Sequence, residues 1–392
     1  MAVEKISDGM HLFLLENSGI LFSETRQQIH ILNTSAAVIW CHLEDGKSAA
    51  EIIPKLRQTF DLNSADAKLF VTTALNDWRR LGFLEGDGAS VNGEAIAGTD
   101  QHGAPDLPEW TDVPFFAERS YRLLSSRLRL RFSRPEQETI VHPVLAHLAC
   151  EAADTAAETL IDIISSAHGM VLYRDREPVA RCDRIDELAP VAKGIVWNTT
   201  IRDHSFFLDI HAGVVCDEQG GILLPAPPGS GKSTLTAALV SAGFQFFSDE
   251  VALLEETTFN VFPVPLALCF KDTGLEMASR FFPQVKTLPI HNRGDGKRVC
   301  YMPPPAHALP ASTAPKPVKA VVFPQFQPGA SSKLDRMDTV DALKKLMDEC
   351  LVVDKRLDRQ KVAGLIDWIG KVDCYRLVFS DAEDAVRKIK RL

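Results

Sequence analysis

Residues 226–234 read Ala-Pro-Pro-Gly-Ser-Gly-Lys-Ser-Thr and follow directly on the apolar run Ile222-Leu223-Leu224. A strand that empties into such a loop, with a helix of good formers from Leu235 through Val240 behind it, predicts an α/β core built around an anion site. Backbone N–H groups of the loop and the positive end of the helix dipole would face the same point. Gly229 and Gly231 let the backbone curl where a Cβ would collide with a bound phosphate. Lys232 can then reach the β- and γ-phosphates of a nucleotide, and the Ser233 hydroxyl can ligate Mg²⁺. Pro227, Pro228, Ser230 and Thr234 complete the binding string. Its usual first glycine is here Ala226, another small residue. ATP and Mg²⁺ are the expected ligands.

The next expected strand, Phe244–Phe247, ends at Ser248-Asp249-Glu250, with Asp249 seventeen residues after Lys232. An acid at the end of a neighbouring strand is where such proteins hold the metal or its water. His211 stands fifteen residues before Ala226, at the end of the apolar Phe206–Ile210 stretch. Taken alone, a histidine there serves structure more readily than chemistry. Lys271, Lys297 and Arg298 sit in apolar or glycine-flanked contexts. They are either ordinary solvated cations or the groups that neutralise a transferring phosphoryl charge.

At 392 residues the chain is long enough for two or three domains. Residues 1–85 form the first expected unit. A hairpin is predicted from Leu12–Leu15 and Ile20–Phe22 across Glu16-Asn17-Ser18-Gly19, with a third strand at Gln28–Leu32. Asn33 or Thr34 caps a helix through Trp40, Ser48 with Glu51 is a capping box for a second, and Ser64 opens a third that Gly82 ends. That order gives an α+β, winged-helix-like module. Residues 86–117 read as a linker, and 118–392 as an α/β domain with an α/β tail. Within it, Tyr121–Phe132 suits strand and Pro143–Ile164 helix. Gly221–Leu254 reads as a βαβ unit. The Pro-rich stretch 303–317 reads as a mobile surface loop. Helices near 341–351 and 359–370, a strand at Tyr375–Phe379 and a helix from Asp381 close the chain.

The net charge of −9 argues against a sequence-independent nucleic-acid partner. The expected third helix carries only Lys68, Arg79 and Arg80 as cations, offset by Asp66 and Asp77, so a DNA-reading role is weak too. No run of about 18 apolar residues predicts a membrane span, and the start MAVEKISDGM lacks a signal-peptide pattern. The eight cysteines show no Cys-x-x-Cys and no zinc spacing, which fits a cytoplasmic protein.

Residues from about 118 to 330 resemble the HPr kinase/phosphorylase-like P-loop kinases. The carrying string is Ile210-His211-Ala212-Gly213, Leu223-Leu224-Pro225-Ala226, Gly229-Ser230-Gly231-Lys232-Ser233-Thr234 and Ser248-Asp249-Glu250. The resemblance implies that Lys232 and Ser233 bind phosphates and Mg²⁺ and that Asp249 is the general base. It further implies that Glu250 supports the metal, that His211 sits beside the γ-phosphate, and that the protein is a homo-oligomer. The family's second signature, an arginine- and glycine-containing loop needed for the reverse phosphorolysis, is not evident, since Pro263–Lys271 and Gly296–Tyr301 occupy that part of the chain.

Residues from about 5 to 85 resemble the PqqD-like peptide chaperones, also called precursor-peptide recognition elements. The matching features are Leu32-Asn33, Asp45-Gly46, Glu51-Ile52-Ile53 and Trp78 followed by Leu81-Gly82-Phe83-Leu84. The resemblance implies leader-peptide binding by strand addition at Gln27–Asn33, beside the helix Ser64–Leu81. The two resemblances together imply an HPr-kinase-like kinase that phosphorylates a Ser or Thr hydroxyl of a ribosomally made precursor peptide. The alternatives are a kinase of a phosphocarrier protein or small hydroxylated metabolite, and a nucleotide-gated binding protein without transfer activity.

Overall fold

The computed structural model of the protein describes residues 3–85, 107–152, 158–351 and 356–392. Its contacts divide the chain into two compact units. One holds Met1–Thr99, Met337–Asp348 and Val352–Lys371; the other holds Asp100–Arg336, Glu349–Leu351 and Val372–Leu392. The tail of the expected 118–392 domain is therefore divided. Its helices Thr339–Glu349 and Arg359–Lys371 group almost entirely with the N-terminal unit, whereas the strand Asp373–Phe379 returns to the second.

In the first unit, strands Met10–Leu15, Ser18–Ser23 and Gln28–Leu32 form an antiparallel sheet in chain order. Helices Thr34–Glu44, Ala49–Phe60 and Ser64–Arg80 follow. The Asn33 side chain caps the first helix by accepting from Ala36 N at 2.9 Å. Glu51 accepts from the Ser48 backbone at 2.9 Å in the second. The third opens at Ser64, as expected, and is capped by Asn63, which accepts from Asp66 N at 2.8 Å. Each bond satisfies a donor that a helix start leaves orphaned. Apolar positions at helical spacing then meet in one core, where Trp40 and Trp78 pack edge to face at 5.0 Å. The helix Arg359–Lys371 packs against the first strand of this sheet.

The second unit carries a six-stranded sheet whose strands lie in the order Gln245–Ser248, Ala212–Cys216, Gly221–Pro225, Val318–Phe326, Asp373–Phe379, Lys333–Arg336. Gly221–Pro225, Val318–Phe326 and Asp373–Phe379 run parallel. The expected βαβ unit needs a correction. Gly221–Pro225, the helix Lys232–Ser241 and Gln245–Ser248 are present, but Ala212–Cys216 lies antiparallel between the two strands. The short connection 217–220 makes a hairpin of Ala212–Cys216 and Gly221–Pro225, and the crossover therefore spans an extra strand. The helix lies close over that insert: a Cβ on Gly213 would stand 2.5 Å from Thr236 Oγ1.

A five-stranded sheet, Ala117–Leu123, Ser126–Phe132, Thr159–Ser166, Gly169–Arg174, Glu177–Cys182, belongs to the same unit. Its inward residues Leu128, Leu130, Phe132, Ile161 and Ile163 share a core with the helices Pro135–Leu145 and Leu188–Asp203. The expected helix over Pro143–Ile164 is thus misplaced. Pro135 opens it at a first-turn position, where a missing N–H costs nothing. Pro143 sits in its last full turn, and 159–166 is strand.

Of the expected linker 86–117, residues 86–106 lie outside the described residues. Residues 107–115 are no linker but a strap on the sheet. Trp110 Nε1 donates to Asp162 at 2.7 Å, and Trp110, Val113 and Phe115 pack on Ile164, Val171 and Tyr173. The Pro-rich stretch 303–317 is likewise tied down. Ala308 is buried in the core and Lys316 pairs with Val261 in a β-bridge. Among the described residues no helix is long and apolar enough to cross a membrane, and Cys41, Cys150, Cys182, Cys216, Cys269, Cys300 and Cys374 are free thiols.

Candidate functional site

The strand Gly221–Pro225 delivers the chain to the Gly-rich loop, and the helix opens at Lys232, where the sequence places it. Gly229 has φ +94° and Gly231 φ +85°, both in the left-handed region that an L side chain rarely adopts. A Cβ at Gly229 would meet nothing within 4 Å, so the loop faces open space there. At Gly231 a Cβ would come within 3.0 Å of Phe379 and 3.1 Å of Phe326. The loop is pinned from the neighbouring strand, where Phe326 N donates to Ser230 O at 3.0 Å. Gly231→Ala is therefore expected to lower stability by about 1–3 kcal/mol through backbone strain and crowding. Thermal unfolding measures it, and an unchanged melting curve would contradict the geometry.

A cleft of about 500 Å³ opens beside this loop. His211, Pro227, Pro228, Gly229, Gly231, Lys232, Ser233, Thr234, Asp249, Glu250, Lys271 and Lys297 line it, so the fold gathers these sequence-derived candidates in one place. Ala226 is buried behind the loop, and Ser230 is not part of the lining. Arg298 is elsewhere: it pairs with Asp272 at 3.8 Å and is exposed. Arg298 alternates with its neighbours along the strand Arg298–Met302, so Lys297 faces the cleft and Arg298 does not.

Asp249 is 3% exposed. Its Oδ2 accepts from Cys269 N at 3.1 Å, while its Oδ1 is buried without a hydrogen-bond partner. Burial is the main reason that its proton affinity rises to about 7; the Cys269 N–H, Lys232 and Ser233 oppose the rise, and the Glu250 charge adds to it. Glu250 behaves oppositely. Burial pushes its affinity up, but Lys193 outweighs that and holds the carboxyl below its ordinary value. The Lys193 ammonium is ion-paired to Glu250 Oε2 and stands 5.2 Å over the Tyr301 ring. His211 is pushed down to about 4, first by burial and then by the neighbouring Lys232, so its imidazole is neutral.

Asp249 Oδ1, a buried oxygen without a hydrogen-bond partner, stands at the cleft wall. Such orphans are unusual unless a ligand answers them. The set fits a phosphate with its cation better than a caged metal. Among the described residues no three or more His, Cys, Asp or Glu side chains converge on a metal position. Mg²⁺ is commonly held by one or two carboxylates together with phosphate oxygens and water. Asp249 and Ser233 suit that pattern, whereas Glu250 already has Lys193 as its counter-ion.

Sequence reasoning missed four contributors: Lys193, Arg293, Phe326 and the Cys269 backbone. Lys193 lies on the helix Leu188–Asp203, 57 residues from Glu250, with no local signal. Arg293 did have one. The turn Arg293-Gly294-Asp295-Gly296-Lys297 joins two strands at the cleft, and Arg293 and Lys297 line it. An arginine- and glycine-containing loop is therefore present, a little before the Gly296–Tyr301 stretch credited with that place. Asp295 pairs with both cations, at 3.2 and 2.5 Å.

In the first unit, Gln28–Leu32 is an edge strand of its sheet among the described residues. The helix Ser64–Arg80 exposes Leu69 and Phe70, at 61% and 43%. The Gln27 end of the expected peptide edge is engaged by the chain itself: its side-chain amide donates to Leu357 O at 2.9 Å and accepts from Leu357 N at 2.6 Å.

No curated protein matches the chain. A solved structure described as TbiB1 in complex with the TbiA(beta) leader peptide is 22% identical, with 21% of this chain and 95% of that chain covered and a TM-score of 0.20. Residues 18–84 match the model of the family described as coenzyme PQQ synthesis protein D (PqqD), from the second strand to the turn after the third helix. The N-terminal unit of this mixed α/β protein thus contains a PqqD-like domain.

Proposed function

We propose that this chain is a Mg-ATP-dependent kinase, HPr-kinase-like in its second unit, that phosphorylates a Ser or Thr hydroxyl of a ribosomally made precursor peptide. The observation that carries the proposal is the cleft itself: Lys232, Ser233, Asp249 and His211 line it beside a loop with two left-handed glycines. The PqqD-like domain supports the peptide half of the reading, through the edge strand Gln28–Leu32 and the helix Ser64–Arg80.

In this reading the loop amides and Lys232 hold the terminal phosphates, and the acceptor hydroxyl oxygen bonds to the γ-phosphorus as the β–γ bridging oxygen leaves with ADP. Asp249 takes the hydroxyl proton on its unpartnered Oδ1. Neutral His211 offers a hydrogen bond rather than a charge. Lys193 keeps Glu250 ionised, and that negative charge helps hold Asp249 at its raised proton affinity. Mg²⁺, when bound at Ser233 and Asp249, supplies charge neutralisation. Covalent linkage of the two units raises the local concentration of a bound peptide, toward the millimolar range for a flexible connection.

The test is ADP release by the purified full chain, with and without candidate precursor peptide, followed by mass spectrometry of the peptide. Peptide-dependent ADP release with a gain of one phosphate on Ser or Thr is expected, and removal of the leader should cut kcat/KM at least tenfold. ADP release without phosphopeptide, but with a phosphorylated carrier protein or metabolite, would favour the second enzyme reading. Nucleotide binding without any transfer would favour the gated binding protein.

A further inference from the structure

Phe326 is a large apolar side chain left 42% exposed at the wall of the cleft, which nothing in the core explains. Its position is fixed from three directions. Its backbone N–H donates to Ser230 O of the loop at 3.0 Å, the edge of Phe379 meets its ring at 5.8 Å and 74°, and Gly231 packs against its Cβ side. Gln327 N in turn donates to Phe379 O at 2.8 Å, tying the two strand ends together. Phe326 ends the strand Val318–Phe326, which runs parallel to Gly221–Pro225 and next to it. Both carboxyl ends therefore open on the same edge of the sheet, the edge where open α/β sheets bind ligands. Asp249 and His211 approach from the other side, because their strands lie beyond Gly221–Pro225 in the sheet order. The polar groups suited to phosphate and acceptor lie on that side, and the flat apolar group lies on this one.

Resting on the nucleotide reading above, we infer that Phe326 is the nucleobase platform of the site, with the base stacked on its exposed face while the loop holds the phosphates. Gly231 serves both ends: at its left-handed φ a Cβ would crowd the Phe379 ring at 3.0 Å and the Phe326 Cβ at 3.1 Å, so glycine lets the loop lie against the platform. A base on an aromatic face is held through its π-surface, with a contribution large enough to read as a fold-change in affinity.

The experiment compares binding of ATP and of inorganic tripolyphosphate, each with Mg²⁺, to the full chain and to Phe326→Leu and Phe326→Trp, with circular dichroism to verify folding. Phe326→Leu keeps an apolar residue of similar bulk but removes the π-face. It is expected to weaken ATP about tenfold or more while leaving tripolyphosphate unchanged, and Phe326→Trp is expected to restore ATP binding. Equal weakening of ATP and tripolyphosphate, or no weakening of ATP, would overturn the platform while the phosphate loop stands. Failure of the unaltered protein to bind either compound would overturn the nucleotide reading and the platform with it.

Discussion

Replacement of Lys232 by alanine is expected to abolish ATP-dependent phosphate transfer, by at least about a hundredfold, in a protein that remains folded. The ammonium sits at the first turn of the helix Lys232–Ser241, 7% exposed and lining the cleft. A charge preorganised in a partly desolvated site stabilises developing negative charge far more than it would in water, and removal of one such donor costs roughly 10²–10³ in kcat. Circular dichroism and thermal unfolding verify that the variant is folded. Lys232→Arg should not rescue, since a planar fork differs in reach and shape from a point charge. Transfer at the normal rate by a folded Lys232→Ala protein would reject the assignment of the loop.

Asp249→Asn is expected to retain ATP binding and to lose turnover by about 10²–10⁴-fold, the usual contribution of a positioned general base. The same change should stabilise the ligand-free protein above about pH 4. Asp249 binds its proton more tightly in the folded chain, near pH 7, than in the unfolded chain, near 3.8. Between those values the native state holds a proton that the unfolded state has released, so stability falls as pH rises from about 4 to about 7. Asparagine carries no such charge. Its melting temperature should match the parent at pH 4 and exceed it by several degrees at pH 8. A variant that gains nothing at pH 8 would show that the carboxyl is not held in the desolvated state described, and undiminished turnover would remove it as the base.

Much of the local structure was legible in the chain. Gln28–Leu32, the capping box at Ser48 and Glu51 and the helix opening at Lys232 fall where short-range rules put them. The errors share a cause. The stretch Pro143–Ile164 has mostly helical character in sequence, whereas three-dimensional packing makes 159–166 a strand paired in parallel to Ser126–Phe132. The Pro-rich stretch 303–317 and residues 107–115 have loop-like composition, and only their long-range contacts, Ala308 in the core and Trp110 on Asp162, make them fixed.

The candidate site divides in the same way. The sequence by itself determined the loop, its two glycines, Lys232 and Ser233, because an anion-binding turn is a local arrangement of about nine consecutive residues with its own backbone requirements. The order of motifs in residues 18–84 was equally local. Tertiary structure alone decided that Lys193 neutralises Glu250, that Cys269 N holds one oxygen of Asp249 and leaves the other bare, and that Phe326 faces the loop. These pairings join residues 20 to almost 100 positions apart. Desolvation and non-local pairing depend on which surfaces the sheet brings together, and no spacing along the chain encodes them.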